Sequence, residues 1–342
     1  AAGEIAAQRN VEQLYEPKAA PYAEVDAAAF VNPPWYAMVM IPFSFVSFGV
    51  LYVLWSIAGL FALWWTYGKL DVPIRDRVVA LTLMSMAAVF AMYFGQNTFF
   101  MVAMLAFGVL ALERDAPVVS GVAIALLAFK PHLLVGIGVW WLVDAARRWK
   151  SILAAAVTTG LLVIVSALWL PGSWQAFFDA LDEPESLVDV DVEVTLLSAV
   201  RLLMGSAGAG AVVIFGVLAI GVVTGLVLIV QRAGSSVRVV GSIAIVVSTL
   251  IAFHGLPYDW LLLVVAGGLL VQENGFGPKR VAVAGIVLGF ALVVGDYLTE
   301  LQLDRMPIAL HIAPWVLLGV AVWMMRTAWL ATGPRPVTVQ TS

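Results

Sequence analysis

The sequence predicts an all-α, polytopic integral membrane protein, and three observations carry that prediction. Hydrophobic residues make up 62% of the 342 and charged residues 12%, with a mean hydropathy of +0.99, a balance foreign to soluble domains. Apolar runs long enough to cross, or nearly cross, a bilayer recur eleven times. Lys and Arg collect in alternate loops, as they do in a chain threaded back and forth through a membrane. The chain reads as one membrane domain, 1–342, with outer segments at 1–42 and 171–206. It has no cysteine, which removes disulfides and thiolate-held metals.

Residues 1–42 begin with a helix expected to end at Tyr15, before Pro17, followed by a Pro-rich turn. Their last piece, Trp35 to Ile41, is apolar and bracketed by Pro34 and Pro42. Seven residues cannot span, so it is expected to lie in the interface or re-enter. The eleven runs fall at 45–67, 77–94, 98–112, 116–129, 133–146, 151–170, 209–230, 237–253, 257–271, 281–298 and 308–330. Between the sixth and seventh, Trp174, Phe177, Phe178 and Leu181 recur at helical spacing after Ser173, which can cap. That stretch is expected to lie on the membrane surface.

The runs at 98–112 and 116–129 form a hairpin about the turn Glu113-Arg114-Asp115. Each is only about 22 Å long at about 1.5 Å per residue, against a hydrocarbon core of roughly 30 Å. Gln96-Asn97 and Lys130-Pro131-His132 therefore fall on the same side, recessed below the membrane surface. The loops 68–77, 113–115, 144–150, 231–238, 272–280 and the C-terminus hold 13 Lys/Arg and 6 Asp/Glu, and the other loops 5 and 16. The first set is expected to be cytoplasmic, with residues 1–34 outside. A chain that starts outside at Ala1 without a signal peptide is expected to be preceded by one more helix, for twelve in all. His132, His254 and His311 all sit at outer helix ends. Gly221-x-x-x-Gly225 permits close helix packing, and the prolines show no two-fold recurrence of the kind inverted-repeat transporters carry.

Tyr93-x-Gly95-Gln96-Asn97, an apolar hairpin, Lys130-Pro131-His132 and then Arg147-Arg148-Trp149-Lys150 form a pattern that resembles glycosyltransferase family 87. The likeness extends to Leu14-Tyr15, to Phe30-Val31-Asn32-Pro33-Pro34 and to His254-Gly255-Leu256-Pro257-Tyr258-Asp259. The family includes a mycobacterial phosphatidylinositol-mannoside mannosyltransferase. The resemblance implies a GT-C-like fold and an inverting, single-displacement transfer of a hexose, mannose being the first guess, from a polyprenyl-phosphate donor. The acceptor would be lipid-linked or a glycan, at the outer face of the cytoplasmic membrane. It also implies an essential Asp in the first outer loop, just ahead of a segment like Ala1-Ala2-Gly3, so the base is expected upstream of Ala1. Glu4 and Asp26 are weaker substitutes.

Such a transfer needs a base, donors for the leaving phosphate and a groove for the lipid. Lys130 is the cation in an apolar setting, suited to phosphate or to snorkelling toward headgroups. His132 can donate to the same phosphate or serve structure. Gln96 and Asn97 suit sugar hydroxyls, and Asn97 can equally cap the helix that follows. His254 and Asp259 flank a turn that contains Tyr258, and the three form the expected reaction centre, or a hydrogen-bonded turn at the membrane edge. Trp35, Tyr36, Trp174 and Phe177 are expected to line the lipid or acceptor groove, or to tuck into headgroups.

No cofactor or metal is expected, since Asp189-x-Asp191 lies in an acidic run that reads as a solvated surface. Membrane lipids, the donor and the acceptor are the expected partners. A net charge of −4 gives no footing for nucleic acid. A lipid-carrier transporter and a non-catalytic membrane subunit are the alternative readings.

Overall fold

The computed structural model describes residue 8 and residues 32–73, 77, 85–182, 194–204, 208–232, 236–300 and 312–332. The helix expected up to Tyr15, Glu4, Asp26, Asp189-x-Asp191, His311 and the C-terminal tail lie outside them. Fourteen helices are described, and no strand. They are α1 Pro34–Val39, α2 Phe48–Lys69, α3 Ser85–Tyr93, α4 Thr98–Glu113, α5 Pro117–Ala125, α6 Val135–Val143 and α7 Ala145–Trp169. Then come α8 Ser173–Asp182, α9 Leu196–Met204, α10 Ala209–Val230, α11 Val237–Ile251, α12 Leu263–Leu270, α13 Gly277–Glu300 and α14 Ile312–Ala331. Every one of the eleven apolar runs contains a helix. Four, α2, α7, α10 and α14, are by length and composition able to cross a membrane.

The centre is α11. Every residue from Val239 to Leu250 is buried, and α4, α6, α10, α12 and α14 pack around it. Its buried serines are satisfied within the bundle: the Ser242 hydroxyl donates to the Arg238 and Ala266 carbonyls at 2.8 and 3.0 Å, and the Ser248 hydroxyl to Ala244 at 2.9 Å. A helix whose other side chains along that stretch are apolar or glycine, and whose hydroxyls bond back to carbonyls, can be buried on every side. By contrast α2, α7 and α10 expose large apolar side chains, among them Phe61, Leu161, Leu168, Val217 and Ile220. Surfaces of that kind face lipid, which is as apolar as they are.

Because lipid tails do not drive apolar helices together, close approach and polar contacts must. A Cβ on Gly136 would collide with the Ala244 carbonyl and Ser248 Oγ, while the Gly136 N–H donates to that same Oγ at 2.8 Å. A Cβ on Gly121 would strike the Ser151 carbonyl of α7, and one on Gly225 the Met325 sulfur of α14. Gly221 has open space around it, so only half of the Gly221/Gly225 pair mediates packing.

Several helices at the end where the expected site segments lie are shorter than expected. The run 116–129 is α-helical only to Ala125, about 13 Å, and Pro131 keeps Lys130 out of helical geometry (φ −126°, ψ 69°). The chain tightens through Leu127 N–H to Ile124 O and Lys130 N–H to Leu127 O, both 3.0 Å. Likewise 257–271 begins with a 3-10 segment, Pro257–Leu262, before α12. The apolar piece after Pro34 forms α1 and a 3-10 turn, Ile41–Phe45, and does not span. Ser173 does not cap α8: it opens the helix and its buried hydroxyl has no partner among the described residues.

At the opposite end the turns are tied together by polar contacts. Arg238 pairs with Glu113 at 2.8 Å and approaches Asp71 at 3.9 Å. The Gln272 amide donates to the Asp71 carbonyl at 2.8 Å, and the Ser236 hydroxyl to Glu273 at 2.9 Å. Four loops of the Lys/Arg-rich set thus meet at the start of α11, and the expected site segments gather near its other end.

Asp71 and Asp115 stand at φ 56°, each just past a helix whose last carbonyls are satisfied by the following two N–H groups. Since a side chain is disfavoured there, Asp115→Gly is expected to stabilise by about 0.5–1 kcal/mol, read as a higher melting temperature in detergent. Gly136→Ala should destabilise by about 1–3 kcal/mol through overpacking against α11. An unchanged melting point for Gly136→Ala would contradict the α6–α11 contact.

Candidate functional site

Gly95 makes the first turn. It follows α3 at φ 60° with open space where a Cβ would lie. Gly95 N–H to Met92 O (2.9 Å) and Gln96 N–H to Ala91 O (2.7 Å) close the helix, the left-handed ending that glycine permits. α2 pins the same turn from the side: the Tyr52 hydroxyl donates to Met92 O at 2.9 Å and the Trp55 indole to Gln96 O at 3.3 Å. Gln96 is half-buried and Asn97 buried.

Asn97 stands at the N-terminus of α4 but its side chain makes no capping bond. The amide instead hydrogen-bonds the Tyr36 phenol, whose pKa burial pushes up to about 12, with that bond opposing the rise. The amide oxygen, Oδ1, is buried with no partner among the described residues, so it can accept from a ligand hydroxyl. Tyr36 stacks on Phe129 at 4.8 Å, and Trp35 meets the same ring edge-on at 5.9 Å. α1 therefore joins the 96–97 turn to the 129–132 turn.

Lys130 and Asp259, 129 residues apart, form the centre. Lys130 Nζ lies 2.7 Å from Asp259 Oδ1, with the lysine side chain 13% and the aspartate 2% exposed. Asp259 Oδ2 accepts the Leu256 N–H at 3.1 Å, so both carboxylate oxygens are engaged. The ammonium also sits 4.6 Å from the centre of the Tyr258 ring, where the ring's π-face attracts it. Phe94 touches Tyr258 at 6.2 Å between centroids, bringing the first turn against the third.

His132 lies beside this pair. Its ring is 5.2 Å from Phe253 and 6.0 Å from His254, and its Nε2 is buried without a partner among the described residues. An imidazole nitrogen so placed can donate or accept a hydrogen bond on a bound anion or hydroxyl.

Tertiary contacts add residues that spacing could not nominate. The Val194 N–H donates to Gly255 O at 2.9 Å, and the Trp260 indole to Val194 O at 3.2 Å. Thr195 and Ser198, both buried, cap α9 reciprocally: each accepts the other's backbone N–H at 3.1 Å. The end of the outer 171–206 segment is thereby fastened to the 254–259 turn. Nothing local in Val194 announces this, since its contribution is backbone.

Trp174 and Phe177 pack against α7 and α1. The Trp174 indole donates to Ser166 Oγ at 3.0 Å, and Phe177 packs with Leu170 and Ala37 behind α1. Through these contacts α8 packs against α7 and α1. Among the described residues no three His, Asp or Glu side chains gather as metal ligands would.

The arrangement is a recessed cluster with one cation, a free imidazole nitrogen, an amide acceptor and aromatic rings, fitted to an anion next to a polyhydroxyl group. Removing one partner of a buried ion pair strands the other charge. Lys130→Met is expected to destabilise by about 3 kcal/mol, and Lys130→Met with Asp259→Asn to recover most of that loss in thermal unfolding. Equal melting points for the single and double variants would contradict the pairing.

Compared with protein-family models, the chain matches the model described as Glycosyltransferase family 87 over residues 30–257. The matched stretch holds Tyr36, Asn97, Lys130, His132 and His254 and stops just short of Tyr258 and Asp259. Comparisons with curated proteins and with solved structures give no match.

Proposed function

The chain belongs to glycosyltransferase family 87, and we propose that it transfers a hexose, mannose first, from a polyprenyl-phosphate donor to a lipid-linked or glycan acceptor at the outer face of the cytoplasmic membrane. Membership of a membrane glycosyltransferase family makes it a transferase acting on a sugar donor and an acceptor. The transporter and non-catalytic readings give way to that. The finer reading is supported above all by the Lys130–Asp259 pair, a cation recessed at the end of a short helix.

In this reading the donor phosphate docks on Lys130, a charge-assisted contact in a site of low dielectric, and His132 Nε2 donates to a second phosphate oxygen. Gln96 and Asn97 Oδ1 take the sugar hydroxyls. The acceptor oxygen attacks the anomeric carbon as the bond to phosphate oxygen breaks, the polyprenyl phosphate leaves with the electron pair, and the acceptor proton passes to a carboxylate base. With both oxygens held, Asp259 is better suited to position Lys130 than to be that base. His254 and Tyr258 face the same space, where an imidazole can offset charge growing on the leaving phosphate. Trp35 and Tyr36 flank the approach, and Trp174 and Phe177 act through α1. No cofactor or metal is required beyond the donor.

Membranes containing the protein are expected to move labelled mannose from polyprenyl-phosphate mannose to a lipid or glycan product. Lys130→Gln should lower kcat/KM by about 10²–10³, with Lys130→Arg recovering part of it, and His254→Ala should lower kcat by about 10². Direct transfer from a nucleotide sugar would overturn the donor assignment. Full activity in Lys130→Gln would remove the phosphate role.

A further inference from the structure

We infer that the protein binds one anionic phospholipid between α12, α13 and α14, at the end of the bundle opposite the candidate site. A cavity of about 120 Å³ lies there, bounded by Gly267 and Gly268 of α12, Gly285 of α13, and Val320, Trp323 and Met324 of α14. No charged side chain lines it. Ala284, Val320 and Trp323 also line an open groove between α13 and α14, so groove and cavity meet at those three residues. Trp323 is held in place by Phe276, which packs edge-on against it at 5.6 Å.

The occupant follows from chemistry and charge. An apolar void of this kind stays dry, and one of about 150 Å³ accepts a benzene, so this space suits the end or bend of a single alkyl chain. The groove provides the way in from lipid. At its far end stand Lys279 and Arg280, both exposed, on the Lys/Arg-rich side of the protein. Arg280 gives one N–H to the Gly275 carbonyl at 2.6 Å and keeps the rest of its guanidinium available. The nearest acid in the chain, Glu273, accepts from Ser236. Two cations above an apolar slot match a negatively charged headgroup above its chain, and a zwitterionic lipid matches the slot alone. The sugar donor is not this lipid, because Lys130 and Lys279 lie toward opposite ends of α11. The inference therefore stands whether or not the donor assignment does.

The test uses the whole chain, purified in detergent and stripped of lipid, with thermal unfolding and native mass spectrometry as readouts. Phosphatidylglycerol at about 100-fold above its Kd is expected to raise the melting temperature by about 3–6 °C and to ride on the protein as one retained molecule. Phosphatidylcholine should give less than half that shift, and glycerol 3-phosphate none. Lys279→Gln with Arg280→Gln should bring phosphatidylglycerol down to the phosphatidylcholine level. Ala284→Leu, which narrows the junction of groove and cavity, should lose the shift with both lipids. Equal shifts from the two lipids in the unaltered protein would overturn the proposal, as would a matching shift from glycerol 3-phosphate. So would a phosphatidylglycerol shift that survives the charge variant, whose two positions are exposed and leave the core intact.

Discussion

The ion pair between Lys130 and Asp259 is the interaction on which the half of the molecule holding the candidate site depends. Neither charge could be left alone at that depth, because an isolated ion among apolar side chains is far more costly than a paired one. The pair therefore obliges two distant turns to meet. Once they meet, the remaining neighbours fall into place: Tyr258 lies against the ammonium, Leu256 donates to the second carboxylate oxygen, and His132 comes beside His254. Phe94, Tyr36 and Phe129 then draw the Gly95-Gln96-Asn97 turn and α1 into the same space.

Short helices make the recess possible. α5, α6 and α12 are eight or nine residues each, well under the length of a spanning helix. Their missing turns are replaced by 3-10 segments and tight turns whose backbone groups must find partners inside the protein, since lipid supplies none. Val194 and Trp260 illustrate the solution, with backbone and indole closing the gap between the outer segment and the 254–259 turn. Irregular backbone of this sort at membrane depth marks places where a membrane protein binds something.

The two ends of α11 serve different ends chemically. One holds the recessed cation and its aromatic walls. The other is knotted by Arg238, Glu113, Asp71 and Gln272, which fixes the starts and ends of four helices without any apolar driving force between them.

The sequence by itself determined the class, the eleven apolar runs, the alternation of loops and the residue types of the site, because hydrophobic length and charge placement are local properties that a bilayer reads directly. It also carried the family, in motifs whose order survives without any contact being known. Only the tertiary structure decided which polar groups face each other. Asn97 could have capped its helix and instead holds Tyr36. Asp259 could have faced solvent and instead holds Lys130. Ser173 could have capped α8 and does not, and Phe177 packs with Ala37 of α1. Each of these outcomes is set by a partner from a distant part of the chain or by packing between helices. Local spacing lists the groups that need partners, while packing between helices selects the partner.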